Sequence, residues 1–132
     1  MKKAFPLILV LALLCSFKIG ESLSGRWIYS GGIYNGKPEP APKDYTLQRQ
    51  YDAEHYAALL IEKDTPPVTY EAGNYKLLQD SCFETQTFSA QPSNLINVTV
   101  KYHYQIKNDT LTFEGILPNG TKVQEYWKKA DK

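Results

Sequence analysis

The chain has 132 residues, of which 22% are charged and 13% aromatic, and its formal net charge is +1. That length suits one domain with one core. The near-neutral balance lacks the clustered Lys and Arg that a nucleic-acid partner requires for counterion displacement, so no nucleic-acid partner is expected.

In chain order, Lys2 and Lys3 come first and precede an apolar run from Ala4 to Phe17, broken by Pro6 and Ser16. A basic start followed by about 7–15 apolar residues is the layout of a secretory signal. Lys18 ends the run short of the ~20 apolar residues that a membrane-spanning helix needs. Gly20 and Ser22 are small and two apart, which places the expected cleavage after Ser22. The expected organisation is therefore a signal peptide over 1–22 and one domain over 23–132, exported to the periplasm or the medium. Cys15 offers a second fate, lipidation and tethering to a membrane, although Leu14 is larger than the residue favoured before a lipidated cysteine. Without residues 1–22 the basic count falls from 15 to 12 and the acidic from 14 to 13, a net charge of −1. Cys82 is then the one cysteine left, so no intramolecular disulfide forms and a packed core must supply the stability.

Strands are expected near 26–31, 45–51, 55–62, 73–78, 82–89, 96–106, 110–117 and 122–128. After the first, segment 36–43 carries Pro38, Pro40 and Pro42, which donate no ladder hydrogen bonds. It is read as an exposed loop, either folded across a barrel mouth or simply a solvated connector. Segment 55–61 also suits a helix through Ala57, Ala58, Leu59 and Leu60, but it is assigned as a strand. The strongest signal lies at Ile96, Val98, Val100, Tyr102, Tyr104 and Ile106, all apolar, with Asn97, Thr99, Lys101, His103 and Gln105 polar between them. Side chains alternate faces along a strand, so one face is buried and the other wet. Turn formers such as Asn35-Gly36, Asn108-Asp109 and Asn119-Gly120 separate these runs. The fold class predicted is all-β, an eight-stranded antiparallel up-and-down barrel.

Chemical signatures are sparse. His55 and His103 have no second ligand at metal-binding spacing, and no cofactor or metal is expected. Cys82 beside Phe83 reads as a small packed residue rather than a nucleophile. Asn97, Asn108 and Asn119 open N-glycosylation patterns that would matter only in a eukaryotic secretory pathway. Glu84 shares a face with Cys82, Gln86 and Phe88, and Glu125 shares one with Val123 and Trp127. A carboxylate on an inward aromatic face is costly unless paired, so both are candidate ligand-site residues. Alternation allows either register, inward or outward. An enzyme would require Glu84 or Glu125 close to His55 in a pocket.

Gly25-x-Trp27 on the first strand, with a basic residue beside Trp127 at the far end, resembles the lipocalin and calycin arrangement. Residues 24–129 are similar to lipocalin-like (calycin) domains of uncharacterised secreted or periplasmic Gram-negative bacterial proteins. The matching pieces are Ser24-Gly25-Arg26-Trp27, Glu54-His55-Tyr56-Ala57, Ala72-Gly73-Asn74-Tyr75, Cys82-Phe83-Glu84-Thr85, Asn108-Asp109-Thr110-Leu111 and Glu125-Tyr126-Trp127-Lys128-Lys129. Those relatives usually carry an aromatic at the position of Cys82 and an arginine at that of Lys129. The resemblance implies a barrel end plugged by Trp27 packed on Lys128 or Lys129. It also implies an apolar or amphipathic small ligand inside. The expected ligand-binding residues are Trp27, Tyr29, His55, Tyr75, Glu84, Tyr102, Tyr104, Glu125 and Trp127, with Val98 and Val100 also facing inward. The alternative partner is another exported protein, gripped by the loop end beside Tyr34 and Tyr45 while the barrel itself is filled.

Overall fold

A computed structural model describes residues 22–130. The expected signal segment before Ser22, including Cys15, lies outside the described residues.

Alternating apolar and polar side chains drive the described chain into strands joined by tight turns. These are β1 (Gly25–Tyr34), β2 (Lys37–Glu39), β3 (Thr46–Tyr51), β4 (His55–Ile61), β5 (Val68–Leu78), β6 (Ser81–Ser89), β7 (Thr99–Lys107), β8 (Thr110–Ile116) and β9 (Lys122–Lys129). β1 pairs antiparallel with both β2 and β3, each strand from β3 to β8 pairs antiparallel with the next, and β1 pairs with β9, so the sheet closes on itself. Eight strands form the barrel wall. The short β2 pairs only with the last three residues of β1, while β3 takes the first four. Closure removes the free sheet edges that invite aggregation.

Segment 36–43 is therefore not entirely a loop, as the prolines suggested. Lys37–Glu39 pairs with β1, with Pro38 opposite Ile33. All three β2 residues are exposed, and β2 has no partner strand besides β1, so Pro38 can turn its missing donor outward at the edge. The Asn35-Gly36 turn has positive φ at both residues, 51° and 80°, the geometry of a two-residue hairpin. Asn108-Asp109 does the same at 52° and 58°.

The 55–61 segment is a strand, as expected. In β7 the even-numbered rhythm holds from Val100 to Ile106, and the odd positions are exposed. The strand begins at Thr99 rather than Ile96, because Asn97 has φ 62° and breaks the extended run. Val98 is consequently a half-buried residue of the preceding loop.

The strand directions give the barrel two distinct ends. One carries residues 22–24 and the turns at 52–54, 79–80 and 108–109; the other carries the connections at 35–36, 62–67, 90–98 and 117–121. The core cluster fills the first end with Leu23, Trp27, Tyr51, Tyr56, Tyr75, Cys82, Tyr104, Leu111, Phe113 and Trp127. Leu23 is fully buried, and its carbonyl accepts a 2.9 Å hydrogen bond from Trp27 Nε1. Residues 22–24 thus cross the barrel end and close it. Each such aromatic contributes roughly 1.5–3 kcal/mol through burial. Tyr75 and Tyr104 spend their hydroxyls on the turn carbonyls of Asp52 and Gln79, which ties the turns to the core.

Candidate functional site

Cross-strand partners share a face, so the register identifies what points inward. On β3 these are Leu47, Arg49 and Tyr51, because Arg49 lies opposite Trp27 and Ala58. On β6 they are Cys82, Glu84 and Gln86; on β9, Val123, Glu125 and Trp127. Both open carboxylate registers thus resolve inward.

A buried charge must be paired, and the interior does so around Arg49. Its Nη1 donates to Glu84 Oε2 at 2.7 Å and to Tyr51 Oη at 2.7 Å, while Nη2 donates to Glu71 Oε2 at 2.9 Å. Tyr51 also donates to Glu84 Oε2 at 2.7 Å. The guanidinium carbon lies 4.9 Å from the Tyr56 ring centre, 5.4 Å from Trp127 and 6.0 Å from Phe113. Aromatic faces carry negative potential, so these contacts add to the ion pairs. Burial alone would lower the Arg49 pKa, but Glu84, Tyr51 and Glu71 together raise it well above the ordinary value. Glu71 continues the network through Gln86 Nε2, which donates to Oε1 at 2.5 Å, and Ser93 Oγ donates to Gln86 Oε1 at 2.5 Å.

Glu125 stands apart from this cluster. Tyr34 Oη donates to its Oε2 at 2.8 Å, and Tyr34 shares a 2.7 Å hydrogen bond with Tyr29. Burial raises the Glu125 pKa, with Arg49 and Tyr34 opposing. Burial likewise pushes Tyr70, at the same end, up to about 12. Tyr29 and Tyr34 are five residues apart yet face the same interior, because a bulge interrupts the β1–β9 register between Tyr29 and Gly31. Gly31 has φ 120° there, a conformation that other residues rarely adopt. Gly32 lets the two phenols approach the backbone: a Cβ on it would sit 2.9 Å from each hydroxyl.

The interior is uneven. Towards the closed end, Trp27, Cys82, Leu111, Phe113 and Trp127 are at most 2% exposed. Towards the other end, the inward-facing Tyr34, Leu47, Leu60, Tyr102 and Glu125 stay half-buried, and Glu71 keeps 22% side-chain exposure. That end is a solvent-reaching mouth with Arg49 and Trp127 beneath it.

The expected residues Trp27, Tyr29, Tyr75, Val100, Tyr104 and Trp127 are all buried. Tyr102 is half-buried and faces inward opposite Cys82. Trp27, Tyr75 and Tyr104 belong to the closed end, away from the mouth. Three expectations need correction. His55 is 62% exposed beside Asp52 at the closed end, because it opens β4 where the Asp52 turn carries it outside the interior; it meets neither Glu84 nor Glu125. Phe88 leaves the Glu84 face, since a register shift opposite Ala72 and Gly73 turns it outward to 46% exposure. Lys129 does lie opposite Trp27, but it and Lys128 are exposed. The cation packed on core rings is Arg49. A recess of about 1060 Å3 near His55 and Tyr75 is lined mainly by outward residues such as Asn74, Lys76, Phe83 and Thr85, so it lies outside the barrel.

Arg49, Glu71, Tyr34, Tyr51 and Tyr56 were not among the expected ligand residues. For Arg49 and Tyr51 the signal was present, since Leu47, Arg49 and Tyr51 alternate on one face. For Tyr34 the bulge removed it, and Glu71 lay before the expected start of its strand at Gly73. Among the described residues no cluster of three metal-ligating side chains occurs.

No protein-family model matches the chain, and no curated protein matches it. Among solved structures, it is similar to a lipocalin-like protein from Bacteroides uniformis ATCC 8492, at 16% identity and TM-score 0.57, covering 82% of this chain and 98% of that one. A variant of the fluorescent protein UnaG aligns at 10% identity and TM-score 0.41, covering 83% and 97% of the two chains. The chain therefore has the lipocalin-like fold, an antiparallel barrel closed by eight strands.

Proposed function

We propose that this is an exported binding protein that holds a small apolar or amphipathic molecule in the mouth half of its barrel and performs no catalysis. The observation that carries the reading is the uneven interior: one end is sealed by Leu23 and Trp27, while inward-facing Leu47, Leu60, Tyr102 and Glu125 at the other remain reachable. Apolar walls with a few placed polar groups are the usual composition of a ligand site. Tyr34, Glu71 and Glu125 are those groups here. Export rests on the basic-then-apolar start from Lys2 to Phe17, with lipidation at Cys15 as its membrane-tethered form.

Native mass spectrometry of the chain purified from its natural compartment is the test. Retention of a small molecule, or a rise in melting temperature with long-chain alcohols, sterols or porphyrins, is the expected result. A chain that carries nothing and gains nothing from any of them contradicts the reading.

A second reading has its own observation. Tyr45, Phe88, Ile96 and Ile116 are exposed around the mouth end, and the Arg49 network occupies the middle of the barrel. Both features suit a filled barrel whose rim grips an exported protein. Deleting 36–43 and losing capture of a specific partner, with no small molecule retained, would favour it.

A further inference from the structure

We propose that the mouth selects a ligand whose polar head is a protonated amine, with Glu125 as the carboxylate that recognises it. This rests on the ligand-binding reading above and names the head group that reading leaves open.

Charge is the first reason. The network described above sets the inward-facing carboxylates Glu71, Glu84 and Glu125 against the single guanidinium of Arg49. Arg49 is also spent: both of its terminal nitrogens already donate to Glu84, Tyr51 and Glu71. An anionic head would have to displace a carboxylate from a nearly buried ion pair, which leaves an uncompensated charge. A cationic head meets an excess of negative charge instead.

Spare hydrogen-bonding capacity is the second. Glu84 and Glu71 use both of their oxygens on Arg49 and Gln86. Glu125 uses Oε2 on Tyr34, and among the described residues its Oε1 accepts no hydrogen bond. An ionised carboxylate offers about four acceptor sites, so Glu125 can take an ammonium without giving up Tyr34. An ammonium beside it also favours its ionised form.

The surroundings supply the third. The Tyr29 and Trp127 rings stand 5.2 Å apart, and Trp127 follows Glu125 on the same face of β9. Their π-faces attract a cation. Trp127 Nε1 is buried and has no hydrogen-bond partner among the described residues. It can donate to an oxygen carried near the amine.

The test compares probes with one tail and different heads: dodecylamine, 1-dodecanol, dodecanoate and dodecyltrimethylammonium, each below its micellar concentration, titrated by calorimetry into the chain at neutral pH. Dodecylamine is expected to bind about tenfold tighter than the alcohol, the scale of one charge-assisted hydrogen bond. The carboxylate is expected to bind weakest. The quaternary ammonium cannot donate a hydrogen bond and should fall well below the primary amine. Glu125→Gln should abolish the advantage of the amine over the alcohol measured on that same variant. A carboxylate that binds tightest overturns the proposal, as does an amine advantage that survives Glu125→Gln or a quaternary ammonium that matches the amine. The last comparison needs only the unmodified chain, so it decides even if the variant fails to fold. If the alcohol binds and the amine binds no better, the head-group assignment fails and the binding reading stands. If none of the probes binds, the head-group assignment fails, and the binding reading falls with it when sterols and porphyrins also leave the melting temperature unchanged.

Discussion

The two ends of the barrel are made from the same strands and the same alternating rule, yet they use the interior differently. At the closed end, Leu23, Trp27, Cys82 and Leu111 pack to nearly zero exposure, and tyrosine hydroxyls are spent on turn carbonyls. At the mouth, Glu71, Glu125 and Tyr34 turn inward with exposure left over. Close packing is therefore concentrated at one end, and inward-facing side chains that solvent still reaches at the other. Arg49 sits between them, bound to carboxylates on the mouth side and lying over Tyr56, Phe113 and Trp127. It joins a layer of polar side chains to a layer of aromatic ones.

The largest effect should come from breaking that boundary. Arg49→Met strands Glu84, whose side chain is 5% exposed, and urea denaturation should show a loss of about 3–5 kcal/mol. Adding Glu84→Gln to the same variant should recover part of it, because the uncompensated charge goes with the partner. A double variant no better than the single would mean that the arginine acts through packing alone.

A contrast between the ends comes next. Trp27→Ala removes the plug and should cost about 3–5 kcal/mol. Val68→Ala, at a mouth position 54% exposed, should stay within about 0.5 kcal/mol. Equal losses would erase the distinction between a sealed and an open end. Smaller again is Tyr34→Phe, which removes the hydroxyl between Tyr29 and Glu125. It should cost about 0.5–1.5 kcal/mol in the same assay.

The smallest effect is one of sign. Burial raises the pKa of Glu125 above the ordinary 4.5. The folded state thus favours the neutral carboxyl. That contribution is fully present below the ordinary value and is lost as pH rises through the raised one. Glu125→Gln, fixed neutral, should melt higher than the parent at neutral pH and converge with it in acid. A variant less stable than the parent at neutral pH would show that Glu125 is held ionised.

Much of the fold was legible because its signals are local. The alternation from Val100 to Ile106, and turns such as Asn35-Gly36 and Asn108-Asp109, each specify their own geometry. Part of what escaped depended on single-residue slips. The bulge at Gly31 moves the inward face from odd to even positions, so Tyr34 enters the interior unannounced. Another slip in β6 turns Phe88 away from Glu84, and Glu71, which alternates with Gly73 and Tyr75, lay outside a strand expected to begin at Gly73. Arg49 was missed for a different reason. A charged residue in a strand is read as solvent-facing by default, although its neighbours Leu47 and Tyr51 shared its face. The in-or-out choice for Glu84 and Glu125 needed the cation that the strand pattern concealed.

The two tryptophans stand at different depths, Trp27 in the plug and Trp127 opposite Tyr29, two residues further along β1 towards the mouth, which gives a direct readout. Fluorine NMR of 5-fluorotryptophan-labelled protein, titrated with 1-dodecanol, follows both at once. Occupation of the mouth should shift the Trp127 resonance and leave that of Trp27 in place. Movement of Trp27 with Trp127 unchanged, or no response from either at saturating probe, would contradict a barrel that is sealed at one end and receptive at the other.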